Sequence, residues 1–90
     1  MPIEQRVPLL HRTGLHLRPA GRVAETANRF KSEVRLTVAG RTVNAKSVLE
    51  LLTLGAGPGV DLVFQADGPD AQEALDSLVT LVRNNFDMEP

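Results

Sequence analysis

Glu33-Val-Arg-Leu-Thr-Val-Ala-Gly-Arg-Thr-Val-Asn44 is the stretch from which the rest of the chain is read. Val34, Leu36 and Val38 alternate with Glu33, Arg35 and Thr37, the period-two pattern of a strand with one buried face. Ala39-Gly40 supplies a turn, and Arg41 to Asn44 runs back as a short strand with Val43 facing inward. A two-residue link between two such runs predicts an antiparallel hairpin, less strongly with Ala-Gly than with Asn-Gly. Its apolar face needs a cover, which the flanking segments must provide.

Upstream, Ile3, Val7 and Leu9 alternate with polar residues and predict another strand. Pro8 cannot donate to a ladder, so this strand belongs at a sheet edge or carries Pro8 at its end. Residues 11–16 read as a loop. A helix starts near Leu17–Pro19, since proline suits a first helical turn. Ala20, Val23, Ala24, Ala27 and Phe30 line its buried face, and Arg18, Arg22, Glu25 and Arg29 its exposed face. Glu25 and Arg29 are spaced for a mildly stabilising pair.

Downstream, Ser47 is expected to cap a short helix running to about Leu54, with Gly55 as its stop. Val48, Leu51 and Leu52 would form its buried face, with Leu49 and Leu54 flanking. A helix this short rarely buries its whole circumference, so Leu49 or Leu54 should be exposed, and such a patch often marks a partner site. Gly55 to Gly59 is a loop, not a phosphate-binding P-loop, because no Gly-Lys-Ser/Thr follows. Val60, Leu62, Phe64 and Ala66 predict a fourth strand. Asp70 to Glu73 has capping-box spacing ahead of a last helix that buries Ala71, Ala74, Leu75, Leu78, Leu81 and Val82, with Phe86 packing at its end. The order β-α-β-β-α-β-α predicts an α+β, open-faced two-layer sandwich: a four-stranded antiparallel sheet with three helices on one face.

Ninety residues suit one domain, 1–90, with a modest core. An apolar fraction of 42% against 23% charged disfavours disorder. With no cysteine there is no disulfide framework and no thiolate metal site, and two histidines alone make no convincing metal centre. No apolar run approaches the roughly 20 residues that span a bilayer, and the N-terminal residues lack a signal-peptide core, so a cytoplasmic protein is expected. Only three aromatics occur, all at positions read as core or helix end, which argues against a nucleic-acid stacking platform. The net charge of −1 hides a split. Residues 1–46 carry nine Lys or Arg against three Asp or Glu, and residues 47–90 carry Arg83 against eight acids. That predicts a polarised surface unless folding interleaves the halves.

His16 stands at a loop-to-helix junction. Free N–H groups of a first helical turn and the helix dipole favour an anion there, and Arg18 adds a cation with bidentate geometry for phosphate. The same positive end disfavours imidazolium and leaves a nucleophilic ring. On these grounds alone a histidine that merely caps a helix is the more ordinary reading. His11, in the loop before it, is expected to be incidental.

Gly14-Leu15-His16-Leu17-Arg18-Pro19-Ala20 resembles the active-site signature of the HPr family, the histidine-containing phosphocarriers of the phosphoenolpyruvate-dependent phosphotransferase system. Lys46-Ser47-Val48-Leu49, continuing to Gly55, is similar to a second family segment, and the element order and length agree. The resemblance implies that His16 carries a phosphoryl group on Nδ1, that Arg18 neutralises it, and that the backbone N–H groups of Leu17 and Arg18 cradle it. It implies Enzyme I as donor, an Enzyme IIA domain as acceptor, no cofactor, and a carrier without substrate turnover of its own, acting as a monomer. Ser47 aligns with a serine that a kinase/phosphorylase modifies in some members; its capping role stands regardless. Leu17, Arg22, Val48, Leu49 and Leu52 are the expected partner contacts. Leu17 replaces a usually small residue, and Glu50 a usually neutral or basic one. The Ser47–Leu52 run and the tail Asn84–Asp87 resemble the nitrogen-related branch. Two other readings compete: a regulatory binding module that has lost transfer chemistry, and a small-molecule-binding domain that merely shares the topology.

Overall fold

The computed structural model describes residues 2–88. The hairpin forms as expected. Strands β2 (Glu33–Val38) and β3 (Arg41–Asn44) pair antiparallel, with Val38 opposite Arg41, so Ala39 and Gly40 alone make the turn. Both adopt positive φ, 51° and 82°, as a two-residue turn matched to strand twist requires. Strand β1 (Ile3–Pro8) and β4 (Asp61–Asp67) complete an all-antiparallel sheet in the order β1-β4-β2-β3. Pro8 lies at the end of β1, and β1 is an edge strand, so both ways of accommodating the proline are used.

Helices α1 (Leu17–Ala27), α2 (Val48–Leu52) and α3 (Ala71–Arg83) cover one face. The core beneath them joins Val7, Val34, Leu36, Leu62 and Phe64 of the sheet to Ala20 and Val23 of α1, Leu51 of α2, and Leu75 and Leu78 of α3. Small residues on α1 let it pack closely against α2 and α3. The open face is polar: the Thr37 and Thr42 hydroxyls pair across strands at 2.6 Å, and Gln65 Nε2 donates to Thr37 Oγ1. A shallow depression of about 290 Å³ on that face, lined by residues such as Arg35 and Gln65, lies on the side away from the helices.

Several local expectations are corrected. Helix α1 ends at Ala27, so Phe30 and Arg29 lie beyond it; Phe30 is only partly buried, and no Glu25–Arg29 ion pair forms. The Asn28 side chain turns the chain there, donating to Ala24 O and Lys46 O. Helix α2 ends at Leu52, not Leu54, and Leu52 is exposed rather than part of the buried face; only Leu51 is fully buried. The charged halves interleave in the sheet, where Arg6 of β1 meets Asp61 of β4 at 3.4 Å.

The capping box expected at Asp70 and Glu73 is absent. Asp70 flanks α3 without a side-chain bond into it. Its carboxylate turns back to accept from Lys31 N–H, Ser32 N–H and the Ser32 hydroxyl at 2.6–2.9 Å, and Ser32 Oγ accepts from Asp70 N–H in return. These donors, the Ser32 hydroxyl foremost and then Lys31 N–H, favour the ionised form and lower the Asp70 pKa from 3.8 to about 2. Half of such a box forms on α2 instead: Ser47 Oγ accepts from Glu50 N–H, while Glu50 Oε1 accepts from Asn44 N–H rather than from the N–H of Ser47, which bonds Asn44 O.

After α3 the chain makes a tight turn, Asn85–Asp87, in which all three residues have φ between 55° and 58°. Left-handed backbone at non-glycine residues costs about 1–2 kcal/mol each. The turn places Phe86 fully inside the core.

Candidate functional site

The segment before α1 is built outward from a turn. Gly14 N–H donates to His11 O at 3.0 Å, closing residues 11–14. Gly14 has φ +73°, and a Cβ there would collide with the carbonyl oxygen of Ala56. Only glycine allows that approach. It lets Leu15 N–H bond Ala56 O at 2.8 Å and bury the Leu15 side chain, which pins the chain one residue before His16.

His16 flanks α1 in extended conformation, φ −90° and ψ −166°, and its side chain does not cap the helix. Its carbonyl accepts the first helical bond, from Ala20 N–H at 2.9 Å. Pro19 has no N–H, so the uncommitted donors of the first turn are those of His16, Leu17 and Arg18. No acidic residue occupies that turn. His16, Leu17, Arg18 and Arg22 are all exposed. The arrangement presents an imidazole, two forward-facing N–H groups and a guanidinium at one positive helix end. Such an end attracts and stabilises a dianionic phosphoryl group.

Helix α2 runs antiparallel to α1. Its start is tied to the end of α1 through Asn28 and Lys46, while the loop after it meets Leu15 at Ala56. The C-terminal end of α2 therefore lies toward the His16 end of α1. Leu49 is 79% exposed, Leu17 63% and Leu52 36%, while Val48 is only partly buried. Leu17 of α1 and Leu49 and Leu52 of α2 are thus exposed apolar side chains on these two helices. Leu10, 78% exposed, is a further large apolar residue on the chain leading to the site that sequence reading missed.

Comparison with known proteins agrees with this geometry. A family model described as the phosphorylation site of the phosphotransferase-system HPr component matches residues 3–84. The chain belongs to the HPr family. It is 36% identical over 84 residues to the phosphocarrier protein HPr of Cupriavidus necator, covering 93% of this chain and 94% of that one. The crystal structure of HPr from Thermoanaerobacter tengcongensis superposes with a TM-score of 0.92 at 34% identity, over 98% of this chain and 99% of that one. The Bacillus subtilis protein Crh is 40% identical with a TM-score of 0.73, covering 91% and 94%, and its crystal structure is a swapping-domain dimer. The α+β fold is therefore that of an HPr phosphocarrier, a family of carriers rather than of turnover enzymes. No helix among the described residues is long and apolar enough to cross a membrane.

One residue beside the HPr-type signature was expected to be incidental and is not isolated from it. His11 is 8% exposed, and its ring centroid lies 5.8 Å from that of His16, tilted by 55°. On its other side it meets Phe86 edge-on at 6.0 Å. The signal in the sequence is the spacing: His11 and His16 flank the turn that Gly14 closes, which folds position 11 back onto position 16. Phe86 comes from the far end of the chain, and no local pattern joins it to either histidine.

Proposed function

We propose that the chain is a phosphocarrier of the phosphoenolpyruvate-dependent phosphotransferase system, working in the cytoplasm between Enzyme I and an Enzyme IIA domain. The observation that carries this reading is the exposed His16 imidazole at the start of α1, beside the uncommitted N–H groups of Leu17 and Arg18. His16 Nδ1 bonds to the phosphorus presented by phosphorylated Enzyme I while the donor's own bond to phosphorus breaks. Arg18 and the two N–H groups balance the charge of the bound group. Reversal of the step on an Enzyme IIA domain regenerates the free imidazole. The exposed Leu17, Leu49 and Leu52, with Val48, form the apolar part of a small, short-lived interface, and Arg22 steers an acidic partner. Phosphorylation of Ser47 by a kinase/phosphorylase would add nearly two negative charges beside Leu49 and weaken that docking.

The test is incubation with phosphoenolpyruvate and Enzyme I. The expected product is one acid-labile phosphoryl adduct per chain, absent from His16→Ala. No adduct on the wild type, or an equal adduct on His16→Ala, overturns the reading. A second reading is a regulatory binding module without transfer; the likeness to the HPr-like protein Crh favours it. It predicts partner binding that His16→Ala leaves intact and no phosphohistidine under any donor. The carrier is expected to act as a monomer; sedimentation showing a stable dimer would replace that with an arrangement like the swapped relative.

A further inference from the structure

Phe86, His11 and His16 form one row of rings, and the middle ring is the most constrained. Thr13 N–H donates to His11 Nδ1 at 3.3 Å, and Thr13 Oγ1 lies 2.8 Å from the same nitrogen. A nitrogen that accepts from an N–H carries no proton itself, so the His11 N–H is on Nε2. These bonds fix the rotation of the ring, and the edge of Phe86 closes its far side. Among the described residues the His16 ring makes no hydrogen bond, and the His11 ring, held by Thr13, is the ring beside it. Burial alone would not select histidine at position 11, since an aliphatic side chain fills a core position without a polar atom. A flat ring with an acceptor at Nδ1 is needed to answer both Thr13 and His16.

We propose that His11, held by Thr13 and Phe86, is a positioning residue that sets the orientation of the His16 imidazole. The proposal rests on the reading of His16 as the phosphoryl acceptor. An exposed imidazole at a helix start samples several rotamers, and only those that bring its nucleophilic nitrogen beside the Leu17 and Arg18 N–H groups are productive. Restricting the rotamers raises the reactive fraction, and small losses of alignment slow such steps measurably. The strained turn at Asn85–Asp87 then has a role: it delivers Phe86 to the back of the row.

The test uses the intact chain and phosphoramidate as donor. A His16 nitrogen bonds to phosphorus, the P–N bond of the donor breaks, and the departing nitrogen takes a proton from water to leave as ammonia. Nitrogen-15 spectra of the two imidazoles and ring-to-ring nuclear Overhauser effects are recorded beforehand. The wild type should show one His16 orientation with a cross-peak to His11. His11→Ala should average the His16 ring and slow adduct formation by about tenfold. His11→Phe, which keeps the ring but leaves Thr13 without its acceptor, should recover only part of that rate; His11→Asn, which keeps only an acceptor for Thr13, should recover none. A His11→Asn chain with wild-type rate and wild-type His16 signals overturns the proposal, as does rotamer averaging of His16 in the wild type. The wild-type spectra decide the matter even where a variant fails to fold. Failure of the carrier reading looks different: the wild type gives no acid-labile adduct with any donor, whatever the His16 ring does.

Discussion

The starts of α1 and α3 are built with the same device and put to opposite uses. Each is preceded, two residues before the flanking residue, by a glycine at positive φ that lies against another segment: Gly14 (+73°) against Ala56, and Gly68 (+151°) against Ser32. Neither flanking residue, His16 or Asp70, sends its side chain into its own helix. There the likeness ends. Asp70 turns inward and is saturated by Lys31 and Ser32, which closes that corner. His16 turns outward, and the N–H groups behind it stay uncommitted. A close glycine contact makes a helix start rigid; the direction of the flanking side chain decides whether the rigidity serves the fold or a bound group.

The largest effect should come from the glycines. Alanine at Gly14 or Gly68 combines disfavoured backbone with a steric clash, and a Cβ at Gly68 would sit 2.6 Å from Ser32 Cα. Each substitution should cost roughly 2–4 kcal/mol in urea denaturation. The comparison adds a distinction. Folded Gly68→Ala should accept phosphoryl groups at the wild-type rate, whereas folded Gly14→Ala should be slow because His16 is displaced. Equal slowing in both would break the contrast between a structural corner and a functional one.

Next in size is the exchange of charge at each corner. Arg18→Ala should slow phosphoryl transfer on the order of tenfold to a hundredfold without moving the thermal midpoint, because the side chain is exposed. Asp70→Asn should do the reverse, lowering stability and sparing transfer. The sign follows from linkage. The folded-state pKa, about 2, lies below the ordinary 3.8, so the stabilisation is fully present above 3.8 and is lost as pH falls toward 2. The gap in thermal midpoint between wild type and Asp70→Asn should therefore be constant near neutrality and close across that window. A gap that persists at pH 2 would mean the carboxylate bonds are not its source.

How much of this was legible beforehand differs between the corners for a physical reason. The strands, their antiparallel pairing and the three helices follow from apolar period, which survives folding because one face of each element meets the core. The His16 corner was legible because its parts are contiguous: Gly14, His16, Arg18 and Pro19 lie within six residues. The Asp70 corner is not legible locally because its partners, Lys31 and Ser32, come from 39 and 38 residues earlier in the chain. Asp70-Ala-Gln-Glu73 fits a capping box locally, but two loop N–H groups and a hydroxyl outbid a single helical one. The same limit hid Phe86 behind His11. Leu52 reads as buried because the face is taken from a run, Val48 to Leu54, of which only Val48–Leu52 is helical, too short a helix to fix which side meets the core.

The smallest effect belongs to the third helix start, where the flanking residue does cap. Ser47 Oγ accepts from Glu50 N–H at 3.2 Å, and Glu50 Oε1 holds Asn44 N–H at 3.1 Å. Ser47→Ala should cost about 1 kcal/mol, at the low end of cap losses if the partly exposed N–H is taken up by water. Glu50→Gln should cost less, since a neutral amide oxygen can still accept from Asn44. The two losses should fall short of additive in the double variant, because both bonds steady the same turn. Phosphoryl transfer to His16 should be unchanged in both single variants. A slowed transfer in Ser47→Ala would show that the start of α2 communicates with the start of α1 through the antiparallel packing, and the division between structural and functional helix starts would then have to include all three.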